Sequence, residues 1–158
     1  MHAHGDDFVV VDARGQKDPL NPEIAKRLGD RNRGIGFNQL AVLLDCDDAA
    51  ARLIFWNPDG TNLGACGSAT RGVADMLMTE RGTTDVVLRT ERGLLACQRH
   101  GDKEVTVNMG EPLLRWDEIP LASACDTQHL PLPGDPAACS MGNPHCTFFF
   151  ESLADIDP

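Results

Sequence analysis

The chain has 158 residues, enough for one domain or for one domain with part of a second. Its formal net charge is −10, and this acidity argues against a nucleic-acid partner, since no cluster of Lys and Arg is available to neutralise phosphates. It favours a small-molecule or protein partner. No apolar run is long enough for a membrane span and no signal-peptide pattern is present, so we expect a cytoplasmic protein without membrane attachment.

The first part of the chain alternates short strands with one short helix. Strands are predicted at 8–12, 39–45 and 52–56. Between the first two, Pro22 opens a helix that runs through Leu28, with Asn21 as its N-cap. An acidic turn at 45–48 separates the second and third strands.

The segment 57–71 places a cysteine between glycines where a loop gives way to a helix. Apolar residues then recur at helical spacing up to Gly82, which suits the C-terminal cap. Cys66 is therefore predicted at the helix N-terminus, where free backbone N–H groups and the positive end of the dipole favour thiolate over thiol. Gly64 and Gly67 leave the backbone room to approach a ligand. From these residues alone, a reactive thiol and a buried structural cysteine are equally open.

Three further strands are predicted at 85–90, 94–99 and 104–108. The turns between them are tight, which indicates antiparallel pairing. One amphipathic helix among several strands predicts the α+β class, with a mostly antiparallel sheet wrapped around, or packed against, that helix.

The composition changes after residue 112, where prolines accumulate. We predict a first domain at 1–112, a linker with loops at 113–138 and the truncated start of a second domain at 139–158. The last segment contains the apolar run 146–150, which is predicted to be a strand. Because so few residues cannot bury a core of their own, we expect the chain to be a fragment or to be completed by something outside it.

The remaining cysteines and histidines do not predict a metal site. Six cysteines form no Cys-x-x-Cys pair, so we expect reduced thiols rather than disulfides or zinc ligands. His2 and His4 have the spacing of a minimal metal contact, but no further ligands stand at a supporting distance, and a solvated N-terminus is the expectation.

Five polar, glycine-flanked motifs share a common explanation through their order in the chain. They are 1–12, with His4-Gly-Asp-Asp-Phe8, then 30–40, 57–71, 107–112 and 140–145. Taken in this order they resemble the diaminopimelate epimerase family, the cofactor-independent amino-acid epimerases of bacterial lysine and cell-wall precursor synthesis. The resemblance implies two similar halves, each a mostly antiparallel sheet around a central helix, with the active site in the cleft between them. It also implies that the second half is incomplete here.

The chemistry of epimerisation explains the interest in Cys66. Inverting a carbon next to a carboxylate requires a base on one face and an acid on the other. The resemblance implies a thiolate and a thiol, one from each half; Cys66 matches the first, and the motif of the second is missing, so the chain alone is expected to be inactive. No cofactor is implied, because fixed donors and the exclusion of water would stabilise the carbanion.

The resemblance also assigns residues to the substrate. It gives His145 the role of tuning the catalytic thiol pair, and it implies that the backbone N–H groups after Cys66 face the reacting α-carboxylate. The implied substrate contacts are Asp6, Gln39, Asn57, Gly67, Ser68 and Asn143. The family has Asn at the positions of Asp6 and Ser68, and the carboxylate of Asp6 removes an amide donor. Gly72, where many relatives carry a cysteine, is expected to be structural.

Other functions stay open beside a diaminopimelate epimerase. One is a related amino-acid racemase, and another is a diverged, non-catalytic homologue that binds an amino acid. The third is a thiol hydrolase or acyl-transferase that uses Cys66 and His145, although Asn143 is too near His145 in the chain to orient it naturally. The expected partners are a small-molecule amino acid and either a second copy of the chain or the missing C-terminal half.

Overall fold

The computed structural model describes residues 1–3, 5–102, 104–152, 154 and 156. These residues form two compact units, Met1–Gly110 and Glu111–Pro158. His4, one of the two histidines considered for a metal, lies outside the described residues. Within them, no helix is long and apolar enough to cross a membrane.

The first unit contains eight strands and two helices among its described residues. They are β1 (His2–Ala3), β2 (Asp6–Asp12), α1 (Pro22–Gly29), β3 (Gln39–Leu44), β4 (Ala51–Trp56), β5 (Asn62–Leu63), α2 (Gly67–Arg81), β6 (Asp85–Thr90), β7 (Gly93–Gly101) and β8 (Glu104–Val107). The six strands and two helices predicted in this part are confirmed, with bounds that differ by one or two residues. Only the two-residue strands β1 and β5 were not predicted.

One sheet with the order β1-β2-β3-β4-β6-β7-β8 contains all of these strands, and β5 is added at β4. Its neighbouring strands are antiparallel except for β2 with β3 and β4 with β6. These two exceptions follow from the connections, because α1 lies between β2 and β3 in the chain and α2 between β4 and β6, and a parallel pair requires such a crossover. The predicted α+β class with a mostly antiparallel sheet is confirmed.

Helix α2 is the centre of the first unit. It packs against β1, β2, β3, β6, β7 and β8, so the sheet curls around it. Its buried side chains are Ala69, Thr70, Val73, Ala74, Leu77 and Met78. A Cβ atom on Gly72 would lie 2.6 Å from the ring of the buried Phe8, so glycine at this position permits close packing of the helix on β2 and has the expected structural role. Gly82 ends the helix in the left-handed region, as predicted.

A second cluster of buried apolar side chains lies on the face of the sheet that points away from α2. Helix α1 begins as predicted, with the Asn21 side chain accepting a hydrogen bond of 2.9 Å from the Ile24 N–H. The buried members of the cluster are Ala13, Ala25, Phe37, Leu40, Val42 and Trp56. The inner strands β2, β3 and β4 are thus covered on both sides, which explains the apolar runs of their sequences.

The second unit contains a hairpin of β9 (Ala137–Ser140) and β10 (Pro144–Thr147). A small cluster of Ile119, Leu130 and Ala138 is buried beside it. The predicted strand at 146–150 is wrong in its bounds, because β9 begins at Ala137 and the ladder ends at its partner Thr147. The predicted linker at 113–138 stays a prediction.

Removing core volume from α2 should destabilise the whole first unit. Leu77 is fully buried, and we expect Leu77→Ala to lower the free energy of unfolding by about 2–5 kcal/mol, because the cavity is lined by a sheet that cannot collapse onto the helix. Urea unfolding followed by circular dichroism measures this. Met76→Ala, at the half-buried neighbouring position, is the control and should cost clearly less; equal losses would contradict the central position of α2.

Candidate active site

Cys66 is the N-cap residue of α2, as the sequence predicted. Its backbone is extended, and its thiol accepts a hydrogen bond from the Ala69 N–H at 3.4 Å. Its carbonyl oxygen accepts from both the N–H and the hydroxyl of Thr70, at 2.9 and 2.7 Å. These contacts fix the sulfur at the first turn of the helix, and only 8% of the residue is exposed.

Burial is the largest influence on the pKa of Cys66. Burial raises the pKa of the Cys66 thiol, and the backbone N–H groups of Ala69 and Ser68 lower it by less. Two charges act in opposite directions: Asp6 raises this pKa and Arg71 lowers it. The helix donors thus act toward thiolate, as predicted, but desolvation of the charged form acts the other way and the net shift of the Cys66 pKa is upward.

Gln39 lies beside the sulfur. Its Oε1 atom is 3.8 Å from the Cys66 Sγ, within reach of the thiol proton. Ala41 and Leu43 of the same strand belong to the core around α2, and alternate residues of a strand share a face, so Gln39 points to the helix side. The start of β3 and the start of α2 therefore meet at this point.

Asp6 and Asp7 face opposite sides of β2. Phe8 packs against α2, so Asp6, two residues earlier, shares the helix side of the strand. Its Oδ1 accepts a hydrogen bond of 3.0 Å from the side-chain amide of Asn38. Asp7 instead accepts two bonds from Arg31, at 2.9 and 2.7 Å, which hold the pKa of the Asp7 carboxyl below its ordinary value.

Asn57 lies in the turn directly after β4. Its side-chain amide donates to the Thr61 hydroxyl at 3.0 Å, and its backbone N–H donates to the Thr61 carbonyl at 2.8 Å. Gly60 closes this turn at a φ of 88°, a region that favours glycine. The Asn57 side chain is thus bonded within its own turn, and no bond to Cys66 is seen among the described residues.

Gly67 and Ser68 are the first two residues of α2 and are half-buried. Backbone N–H groups in a first helical turn have no backbone acceptor within the helix, and such groups can bind an anion. Sequence reasoning missed Arg71, one turn later. Its Nη1 lies 3.6 Å from where a Cβ atom on Gly67 would be, so the guanidinium runs along the first turn. The spacing of four residues from Gly67 was the available signal.

Asn143 and His145 lie in the second unit, at the turn and in β10. The His145 Nε2 and the Asn143 Oδ1 are 3.2 Å apart, so the two side chains contact each other. Asn143 is half-buried and His145 is exposed. Within the first unit the fold brings Asp6, Gln39, Cys66, Gly67 and Ser68 to one end of α2; the two residues of the second unit form a pair of their own.

The family match and the most similar curated relatives point to the same family. Residues 1–114 match the family described as diaminopimelate epimerase. The chain is 46% identical over 160 residues to the diaminopimelate epimerase of Acidiphilium cryptum, covering 99% of this chain and 58% of that protein. It is 47% identical over 155 residues to the diaminopimelate epimerase of Gluconobacter oxydans, covering 97% and 58%. The chain thus spans less than two thirds of the length of these relatives.

A solved structure supports the same fold. The chain resembles a probable proline racemase from Agrobacterium radiobacter with a TM-score of 0.58 and 21% identity. The match covers 82% of this chain and 40% of that protein.

The reactivity of Cys66 should reveal its burial. We expect its alkylation by iodoacetamide to rise with pH and to reach half its maximum above pH 9.0, the ordinary pKa of a thiol, because burial opposes the thiolate. Rates are measured by mass spectrometry of the peptide that contains Cys66, which separates it from the other five cysteines. A midpoint near pH 7 would show that the helix donors dominate instead.

Proposed function

Because the chain belongs to the diaminopimelate epimerase family, we propose that it supplies the first acid/base of a cofactor-independent epimerase that interconverts LL- and meso-diaminopimelate. The observation that carries this proposal is the position of Cys66, buried at the N-cap of α2 beside Gln39 and next to the N–H groups of Gly67 and Ser68. A titratable thiol and the first backbone N–H groups of a helix are thereby adjacent. The chain spans 58% of the length of these two relatives, so the activity of the whole enzyme is itself a proposal.

The proposed reaction moves protons between sulfur and carbon. In one direction the thiol of Cys66 delivers its proton to the α-carbon and becomes a thiolate, while a thiolate on the opposite face takes the original α-proton. In the other direction the roles are reversed. The second acid/base is proposed to be a cysteine from the part of the family fold that this chain does not span.

The intermediate requires stabilisation of a carbanion next to a carboxylate. The N–H groups of Gly67 and Ser68 are proposed to bind the α-carboxylate, where negative charge develops as the α-proton leaves. Burial of Cys66 supports this, because fixed donors act more strongly where water is excluded. No cofactor is part of the proposal.

The other residues that the family resemblance indicates are proposed to bind the substrate or to tune the catalytic thiol pair. Asp6 and Gln39 share the helix side of the sheet with Cys66, which supports their role as substrate contacts. Asn57 and Asn143 are proposed substrate contacts, and His145, bonded to Asn143, is proposed to tune the thiol pair. A role in lysine and cell-wall precursor synthesis, a cytoplasmic location and assembly as a homodimer or with a C-terminal half outside the given sequence stay predictions.

A diverged homologue that binds an amino acid without turnover is the second candidate. It is favoured by the carboxylate of Asp6, by Ser68 and by the raised pKa of Cys66. A related racemase with another substrate differs from the first proposal only in specificity. A thiol hydrolase is less favoured, because nothing in the first unit offers Cys66 a histidine base among the described contacts.

A chimera tests the proposal. Residues 1–158 replace the matching part of the Acidiphilium cryptum relative, so that a complete second half is present. We expect the chimera to incorporate solvent deuterium at the α-carbon of diaminopimelate and to convert the LL form to the meso form. Cys66→Ser should lower both rates at least about 100-fold, because one of the two acid/bases is lost. Mass spectrometry and chiral chromatography measure these rates.

The controls separate the two candidates. The unmodified relative shows that the assay works, and the 158-residue chain alone is predicted to give no exchange. A chimera with the thermal stability of the relative that binds diaminopimelate but exchanges no deuterium would support the non-catalytic homologue.

A further inference from the structure

Arg71 is a half-buried arginine near the start of α2, and its side chain makes no hydrogen bond or ion pair with any residue that the structure describes. A charged group that loses water without gaining a partner costs free energy, so half-buried arginines are normally paired. Three other half-buried arginines each contact a carboxylate: Arg14, Arg89 and Arg99. Arg71 differs from them in lacking such a counter-charge.

The carboxylates nearest to Arg71 on neighbouring elements do not neutralise it. Asp75 follows it by four residues, a spacing at which side chains on a helix can meet. The Asp75 carboxylate, however, accepts two bonds from Arg99 of β7, at 2.9 and 2.6 Å. Glu104 of β8 lines the same cavity as Arg71 but forms no ion pair with it.

The guanidinium of Arg71 lies against the first turn of α2. Its Nη1 atom is 3.6 Å from where a Cβ atom on Gly67 would be, and Gly67 directly follows Cys66 in the chain. The N–H groups of a first helical turn carry partial positive charge. A full positive charge and these partial charges therefore lie together, within one residue of the thiol. Arg71 also lines the cavity between β1, β8 and α2, through which a dissolved anion can approach it.

We propose that Arg71 is a specificity-determining residue that makes the site at Cys66 select ligands with a carboxylate group. The carboxylate of such a ligand would supply the counter-charge that Arg71 lacks, and a guanidinium can donate two parallel hydrogen bonds to it. This inference rests on the proposed function for the identity of the natural ligand, an amino acid, but its test requires no turnover.

The consequence for the proposed reaction is electrostatic. Negative charge develops on the α-carboxylate as the α-proton leaves, and a fixed positive charge beside that group stabilises it more in the transition state than in the ground state. An ester or amide of the same amino acid carries no such negative charge, so Arg71 would favour the free acid over these derivatives.

Two alkylating reagents that differ in charge test the inference on the 158-residue chain. Iodoacetate carries a carboxylate and iodoacetamide a neutral amide; with either reagent the thiolate sulfur attacks the methylene carbon, a C–S bond forms and iodide leaves. Because both reagents react with the thiolate, the ratio of their rates at Cys66 does not depend on the pKa of the thiol.

We expect Arg71→Gln to lower the ratio of the iodoacetate rate to the iodoacetamide rate at Cys66 by about 3- to 5-fold, because the positive charge that attracts the anionic reagent is removed. The same ratio at the exposed Cys146 should stay unchanged and serves as the internal reference. Mass spectrometry of the digested chain gives both rates at both cysteines.

Matched variants separate charge from structure. Arg71→Lys keeps a positive charge and should keep most of the ratio at Cys66. Arg81→Gln removes a positive charge from the last turn of the same helix and should leave the ratio unchanged. Higher ionic strength should lower the ratio in the unmodified chain but not in Arg71→Gln. Circular dichroism and the unfolding midpoint show that each variant is folded.

An unchanged ratio at Cys66 in folded Arg71→Gln overturns the inference, and so does an equal fall in Arg71→Lys or Arg81→Gln. Failure of the chimera to exchange deuterium would overturn the proposed function and leave this result untouched.

Discussion

The burial of α2 in the concave side of a curled sheet is the constraint on which the first unit depends. The helix supplies the apolar side chains that cover strands from both ends of the sheet, from β1 and β2 to β7 and β8. Close approach requires small residues, and the ring of Phe8 lies where a side chain on Gly72 would be. This packing fixes the helix axis and therefore the position of its N-terminus. Cys66 consequently lies at the start of β3, beside Gln39.

The same burial sets the chemistry of the thiol. A helix N-terminus stabilises a neighbouring anion by about 0.3–1 kcal/mol at exposed sites and by about 2 kcal/mol in partly buried ones. Full desolvation changes a pKa by up to about 3–5 pH units, and each unit corresponds to about 1.4 kcal/mol. At Cys66 burial is the larger effect, and the pKa of the thiol lies above its ordinary value. For a two-base mechanism this is not a defect, because one member of the pair must begin as an acid. A site built for a nucleophile would require the opposite balance.

Local signals in the sequence and pairing between distant segments account for different parts of the fold. The apolar spacing of α2, its glycine cap and the Pro and Asn at the start of α1 are local, and both helices were predicted correctly. Strands β1 and β5 have two residues each, too few to show a period of two, so they carry no signal. The run of three phenylalanines after Cys146 suggested a strand through residue 150, but the length of a ladder is set by its partner, and β9 begins at Ala137.

The sequence by itself determined the family, through the order of its motifs, and the location of a cysteine at a helix start framed by glycines. Only the tertiary structure decided that burial raises the pKa of the Cys66 thiol, that Asp6 lies on the helix side of β2 while Asp7 pairs with Arg31, and that the guanidinium of Arg71 runs along the helix end. The reason is that a motif is a property of adjacent residues, whereas solvent exclusion and the distance between charges depend on which segments the packing brings together.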